Sequence, residues 1–426
     1  MNKEQFSLRI YQLIILLLTP VLVLVLLFRS TSQKAYRQRL KERFGILPRT
    51  FNSGSIVIHA ASVGEVLAIK PFIEAVLQQH PDTPVTVTTF TPTGSEQVLK
   101  LFQTRVQHCY IPLDNPLSVH WFLQTLKPKA LVLMETELWP SLIHRCYQRN
   151  VPMLLINGRL SAGSMRSYQK LRWLISPALN KIEQILCQSE DNANNFIALG
   201  ACANKVRNSG NLKYDMAINK ALESKRAELL SYIPKQSKIV VAGSTHQNEE
   251  KLIIDSFKRL KQHDKSLLLV LVPRHPERFD AVAKLAQQQD LSVVRRSQQA
   301  NVTEHDDVWL IDTLGELLAV YALADVCVIG GSFYDVGGHN PLEPALFAKP
   351  VIVGPNMSNF VEINQKLKVA KALVQLGANE DLTQELTRLL HSPSICRAMG
   401  AQGLDVVAQN QGATQKSIEA LAQLLN

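Results

Sequence analysis

Cysteine is scarce in this chain and scattered along it. The 426 residues hold six, Cys109, Cys146, Cys187, Cys202, Cys327 and Cys396, far apart and with no C-x-x-C pair or clustered histidine. That spacing indicates neither a zinc site nor a disulfide scaffold, and fits a reducing cytoplasm. No repeat of fixed period and no low-complexity tract occurs. A small-residue cleavage site is also missing after the long apolar run, where Arg29-Ser30-Thr31-Ser32-Gln33-Lys34 stands. The run therefore does not read as a cleaved leader and is expected to be retained.

That run, Leu13 to Phe28, is broken only by Thr19 and Pro20 and reaches 19 residues when counted from Ile10. This is close to the ~20 residues that span a bilayer core. It can cross the membrane, or kink at Pro20 and lie within one leaflet. The next segment, Arg29 to Arg49, has seven basic residues against the single acid Glu42, so much of the net charge of +10 is local to it. By the positive-inside rule everything after the run is cytoplasmic, and Tyr36, Arg37, Arg39 and Arg43 can lie along anionic headgroups. A buried core helix followed by a solvated basic loop suits so apolar a run less well.

From Ser55 onward short apolar strands alternate with amphipathic segments. Ser55–His59, Val85–Thr89, Ala130–Met134, Met153–Asn157 and Ile185–Cys187 read as strands of one parallel sheet. A charged stretch follows. Ile239–Ala242, Leu267–Val272, Trp309–Asp312, Asp325–Ile329 and Val351–Val353 then form a second series. The pattern predicts an α/β chain: an anchor over 1–30, a Rossmann-like domain over 31–215, a linker over 216–237 and a second Rossmann-like domain over 238–426. The last helix, 417–425, is expected to pack back on the first domain.

The chemistry gathers where strands end in polar residues. Four glycines fall between Gly330 and Gly338, and after them Asn340 can cap a helix with Pro341 at its first position and Glu343 three residues past the cap. Free N–H groups there suit a phosphate, and the Glu343 carboxylate suits a ribose diol. A capped helix behind a glycine-rich surface loop is the plainer alternative. In His59-Ala60-Ala61-Ser62-Val63-Gly64-Glu65, Ser62 and Glu65 have capping-box spacing, while Glu65 can also serve as a general base at a cleft. Glu135 and Glu137 are alternate residues after a buried strand, so both can point one way. Arg159 ends another strand. Ser244, Thr245 and His246 end the next with small and hydroxylic groups, Arg274 and His275 follow the strongest apolar run, and Gly315 and Glu316 follow another.

The motifs YRQRLKERFG, HAASVGE, METELWP, NGRLS, GNLKYD, AGSTH, PRHPER, DTLGEL and GGSFYDVGGHNPLEPA, in that order, resemble the Kdo (3-deoxy-D-manno-octulosonic acid) transferases of lipopolysaccharide assembly. The resemblance implies a GT-B fold with two doubly wound domains facing a cleft, CMP-Kdo as donor, and the lipid A precursor (lipid IVA) as acceptor at the cytoplasmic face of the inner membrane. It implies no metal, no cofactor and no nucleic acid. On that reading Glu65 is the base of a single inverting displacement, with Glu135 or Glu137 as alternatives that otherwise orient the acceptor. Ser62, Gly64, Arg159 and Ser161 lie on the acceptor side. Donor contacts are expected from Lys213, Ser244, Thr245, His246, Arg274, His275, Gly315, Glu316, Gly330, Gly331, Ser332, Gly338, Asn340 and Glu343. Gly163 and Asn195 stand where the family pattern has basic residues, which weakens a phosphate contact at those loops. A UDP-sugar enzyme of the same fold and a catalytically silent membrane-tethered lipopolysaccharide-binding scaffold are the rival readings. Retention of all three carboxylates argues for activity.

Overall fold

The computed structural model describes residues 3–32, 34–378 and 380–425. The chain divides into two compact units, Met1–Asp215 together with Gln411–Asn426, and Met216–Asn410.

The first unit is built on seven parallel strands, β1 (Ile56–His59), β2 (Val85–Thr89), β3 (Gln107–Tyr110), β4 (Ala130–Met134), β5 (Met153–Gly158), β6 (Gln184–Cys187) and β7 (Val206–Asn208), in the order β3-β2-β1-β4-β5-β6-β7. Runs such as Ala-Leu-Val-Leu-Met in β4 suit the centre of a sheet covered on both faces. Leu131 and Leu133 point into one apolar layer with Phe122 and Leu142. Ala130, Val132 and Met134 point into the other with Ile69 and Phe72. The final helix, Ala413–Leu425, joins this second layer through Ile418 and Leu421. Asp215 fixes its start by accepting from the amides of Gly412 at 2.6 Å and Thr414 at 2.5 Å.

An N-terminal helix, Lys3–Ser32, precedes this sheet and contains Pro20. At 1.5 Å per residue it is about 45 Å long. Among the described residues it is the one helix long and apolar enough to cross a membrane, with a mean hydropathy of 2.7 in its most apolar window.

The second unit repeats the plan with β8 (Lys238–Thr245), β9 (Leu267–Pro273), β10 (Val293–Arg295), β11 (Val308–Leu310), β12 (Val326–Ile329), β13 (Val351–Val353) and β14 (Leu373–Gln375), in the order β10-β11-β9-β8-β12-β13-β14. In each sheet the winding reverses beside the first strand, between β1 and β4 and between β8 and β12. Open α/β sheets bind ligands at the carboxyl ends of the strands at such a point.

Two expectations need correction. The segment expected to be a linker carries the helix Lys220–Leu230 and belongs to the second unit from Met216 onward. Two of its charges pair with the body of that unit: Glu228 meets Arg296 at 2.5 Å and Lys225 meets Glu316 at 3.5 Å. Tyr232 stacks on the buried Trp309. The helix expected at Asn340 spans only Leu342–Ala345, so it offers little macrodipole. Asn340 still accepts from the Leu342 amide at 3.2 Å.

Candidate active site

In the first unit, β1 ends at His59 and the chain turns into the helix Val63–Gln79. Ser62 caps that helix, its Oγ accepting from the Glu65 amide at 3.4 Å. Glu65 reaches back, accepting from the Ala61 amide and the Ser62 hydroxyl, each at 2.9 Å. The capping box is real. It also holds the carboxylate at the switch point of the sheet, where burial and then the charges of Glu135 and Glu137 push Glu65 up to about 7. A carboxylate titrating there can take a proton near neutral pH.

The neighbouring strand β4 delivers the other two acids. Glu135 adopts a left-handed conformation with φ 55°, and its amide donates to the Ile156 carbonyl at 3.0 Å. Burial raises its pKa, while Lys213 and then Arg159 oppose the rise. Glu137 Oε2 accepts from Trp139 Nε1 at 2.9 Å and lies 3.2 Å from His59 Nε2. The buried His59 ring meets Thr88 Oγ1 through Nδ1 at 3.0 Å. Lys213, expected among the donor contacts, therefore lies in the first unit beside Glu135. Ser161 is an exposed cap, accepting from the Ser164 amide at 3.1 Å. Gly64 is exposed, and a Cβ there would meet nothing nearer than Ser62 Oγ at 4.0 Å.

The second unit gathers basic groups at the matching place. Ser244, at φ 56°, and Thr245 close β8, and the Arg274 amide donates to the Thr245 carbonyl at 2.9 Å. His246 Nε2 lies 2.8 Å from His339 Nε2 with the rings stacked, and the His275 ring meets His246 edge-on. One imidazole must donate to the other, so at most one of the two can be cationic. Burial, then His246, Arg274 and His275 hold His339 down to about 3. Burial and the same cationic surroundings lower His246. Glu343 is pushed up to about 7 by burial, against the pull of Arg274 and a hydrogen bond with Asn340. This concentration of cationic and donor groups suits an anion.

Other expected donor contacts turn inward. Ser332 is fully buried, donating to the Ile329 carbonyl at 2.5 Å and accepting from the Gly354 amide at 2.7 Å. It ties two strand ends together and has no hydroxyl to spare. Glu316 is held by Arg296 at 3.2 Å and by the Thr313 hydroxyl, so its carboxylate serves the fold. Gly315 is a turn residue at φ 90° with open space around it. A Cβ on Gly330 would fall 2.3 Å from the Ser244 carbonyl oxygen, so this glycine lets β12 and β8 end side by side. Gly338, at φ 75°, closes its loop by donating to the Gly331 carbonyl at 2.7 Å.

Three participants escaped the sequence reading. Glu249 is fully buried and accepts from the amides of His246 at 2.6 Å and Gly331 at 2.7 Å, pinning the two loops to each other. Its spacing of three from His246 was the available signal. His339 and His59 lay inside motifs that were read for their glycines and acids.

The comparisons with known proteins agree across the chain. Residues 38–216 match the family model described as 3-deoxy-D-manno-octulosonic-acid transferase (kdotransferase), and residues 225–405 match glycosyl transferases group 1. A 3-deoxy-D-manno-octulosonic acid transferase of Haemophilus influenzae is 38% identical over 418 residues, covering 97% of this chain and 98% of its own. One from Bordetella pertussis is 32% identical, covering 86% and 87%. Among solved structures, the UDP-GlcNAc 2-epimerase of Neisseria meningitidis bound to UDP-GlcNAc matches with a TM-score of 0.57 over 87% of this chain and 100% of its own. At 17% identity it bears on the fold alone, which is of the GT-B type.

Proposed function

The chain belongs to the 3-deoxy-D-manno-octulosonic-acid (Kdo) transferase family and is a glycosyltransferase, and from that premise we propose that it moves Kdo from CMP-Kdo to a hydroxyl of the lipid A precursor at the cytoplasmic face of the inner membrane. The observation that carries this reading is Glu65, held at the switch point of the first sheet with its pKa near 7 beside two further acids.

Glu65 takes the proton of the acceptor hydroxyl. That oxygen bonds to the Kdo anomeric carbon as the bond to the CMP phosphate breaks, and CMP leaves with the electron pair. The attack is in line and inverts the anomeric centre. Charge develops on the leaving phosphate, where Arg274 and the His246, His275 and His339 cluster support it. A phosphate beside that cluster opposes the lowering of His246 and His339, so either ring can gain a second N–H donor as the anion arrives. Glu343, near Arg274 and Asn340, suits the ribose hydroxyls.

Glu137, held through His59 and Trp139, suits a positioning role for the acceptor. Glu135, beside Lys213 and Arg159, combines an acid with two cations where a phosphorylated, carboxylate-bearing substrate would be met. The N-terminal helix and the basic residues behind it suit an acceptor whose acyl chains stay in the leaflet.

The test is transfer of labelled Kdo from CMP-Kdo to tetraacyl lipid A precursor by the purified full chain, with products resolved by mass. A product one or more Kdo units heavier supports the reading. Transfer only from a UDP-sugar, or binding of CMP and lipid with no transfer, would replace it.

A further inference from the structure

The N-terminal helix is not free along its length. Glu4, Leu8, Tyr11, Ile15, Thr19, Leu26 and Ser30 recur at spacings that put them on one helix face, and these positions are buried or half-buried. Three polar links bind that face to the first unit. Lys181 pairs with Glu4, Tyr11 Oη donates to Asp114 Oδ2 at 2.9 Å, and Asn115 Nδ2 meets Thr19 Oγ1 at 3.5 Å. Asp114 is itself buried in the fold, accepting from the amides of Ser141 at 2.9 Å and Leu142 at 2.8 Å. At 1.5 Å per residue the stretch from Glu4 to Thr19 is about 22 Å of helix seated on the protein.

The opposite face is apolar and open. Phe6, Leu13, Leu17, Leu24 and Phe28 are each more than half exposed and share that face. Arg29 in the last turn of the helix, and Lys34, Arg37, Lys41 and Arg49 after it, are all exposed, a charge complement to anionic headgroups. Leu117 and Trp121, one turn apart on the helix that begins beside Asn115, are exposed as well.

A helix that crosses a bilayer is surrounded by lipid or membrane-embedded protein for some 30 Å. Here crossing would carry Asp114, Lys181 and the loops around them into hydrocarbon. We infer that the helix lies in the plane of one leaflet of an anionic membrane, its contact stripe remaining on the first unit and its Phe6, Leu17 and Phe28 face sunk below the headgroups, and does not cross. This deepens the membrane reading under Proposed function and rests on it. It would hold the first unit at a fixed height above the acyl chains, which an acceptor anchored in the same leaflet requires.

The test uses the full chain with Cys202→Ser and Cys396→Ser, which removes the exposed and half-exposed thiols. Single reporters Phe6→Cys, Leu17→Cys and Phe28→Cys then carry an environment-sensitive dye. All three are surface positions, so the fold is retained. The protein is mixed with vesicles of phosphatidylethanolamine and phosphatidylglycerol bearing a spin label high or low on the acyl chain. An in-plane helix is buried ~5–10 Å, so the shallow label quenches roughly twofold more than the deep one at all three positions. The inference is overturned if Leu17 is quenched most by the deep label, or if Phe6→Cys reacts only with a thiol reagent trapped inside the vesicles. In either case membrane association itself stands. If no reporter enters the vesicles, membrane association and the inference fall together.

Discussion

Glu137 and His59 meet at 3.2 Å, joining the ends of β4 and β1 across the point where the first sheet reverses its winding. Trp139 holds the same carboxylate oxygen from the other side. Glu137 is therefore a fixed element of the candidate site, and its charge is one reason Glu65 keeps its proton up to about 7. The charge of Glu135 acts on Glu65 in the same sense and more strongly.

That coupling predicts a pH profile. A general base works when deprotonated, so kcat/KM rises with pH on an acid limb centred near 7. Glu135→Gln removes the larger of the two like charges acting on Glu65, so the limb moves to lower pH even where the maximal rate falls. Initial rates from pH 5 to 9 for both proteins check this. An acid limb that does not move would separate Glu135 from the base.

Gly64 gives an opposed pair of effects. A Cβ there would meet nothing nearer than Ser62 Oγ at 4.0 Å, an ordinary contact, so the fold does not require glycine in this first helical turn. Gly64→Ala is expected to stabilise the chain by several tenths of a kcal/mol, up to ~1. If a substrate approaches the backbone beside Glu65, the same methyl lowers transfer on the order of tenfold or more, since displacements near 1 Å are costly at a reacting centre. Denaturant midpoints and transfer rates on one preparation decide it.

Glu249 predicts a pH-dependent stability. Burial raises its folded pKa to about 7 from an ordinary 4.5, although the Gly331 and His246 amides work against the rise. The folded state thus holds a proton that the unfolded state gives up between those values, and stability falls as pH climbs through that window. Glutamine mimics the protonated form and can still accept from both amides. Glu249→Gln should therefore be near neutral at pH 4.5 and more stable than wild type at pH 8, by at most ~3 kcal/mol. Urea midpoints at the two pH values measure the difference.

The inner strands of both sheets were legible because they are dominated by apolar and β-branched residues, from Val-Thr-Val-Thr-Thr in β2 to Leu-Leu-Leu-Val-Leu-Val-Pro in β9. The edge strands were not. β3, β7, β10 and β14 are three or four residues long and carry Gln107, His108, Arg207, Asn208, Arg295 or Gln375 among their apolar positions. Among the candidate site residues, Glu65 and Arg274 could be proposed from where their strands end, and Glu343 from the capping pattern that follows the glycine loop. The His59–Glu137 and His246–His339 pairs could not, because each joins elements far apart in sequence. Ser332 and Glu316 show the converse: a polar residue at a strand end looks the same in sequence whether it faces a ligand or ties a loop, and in the structure both side chains bond within the fold.

The most direct test of the account is Kdo transfer from CMP-Kdo to tetraacyl lipid A precursor by wild type and Glu65→Gln, with CMP affinity measured on both. Glutamine keeps oxygen and shape for the Ala61 amide but cannot take a proton. The account predicts that transfer falls by ~10²–10⁴-fold while CMP affinity is unchanged. Transfer by Glu65→Gln within a few-fold of wild type, or no transfer of Kdo by the wild-type chain, would contradict it.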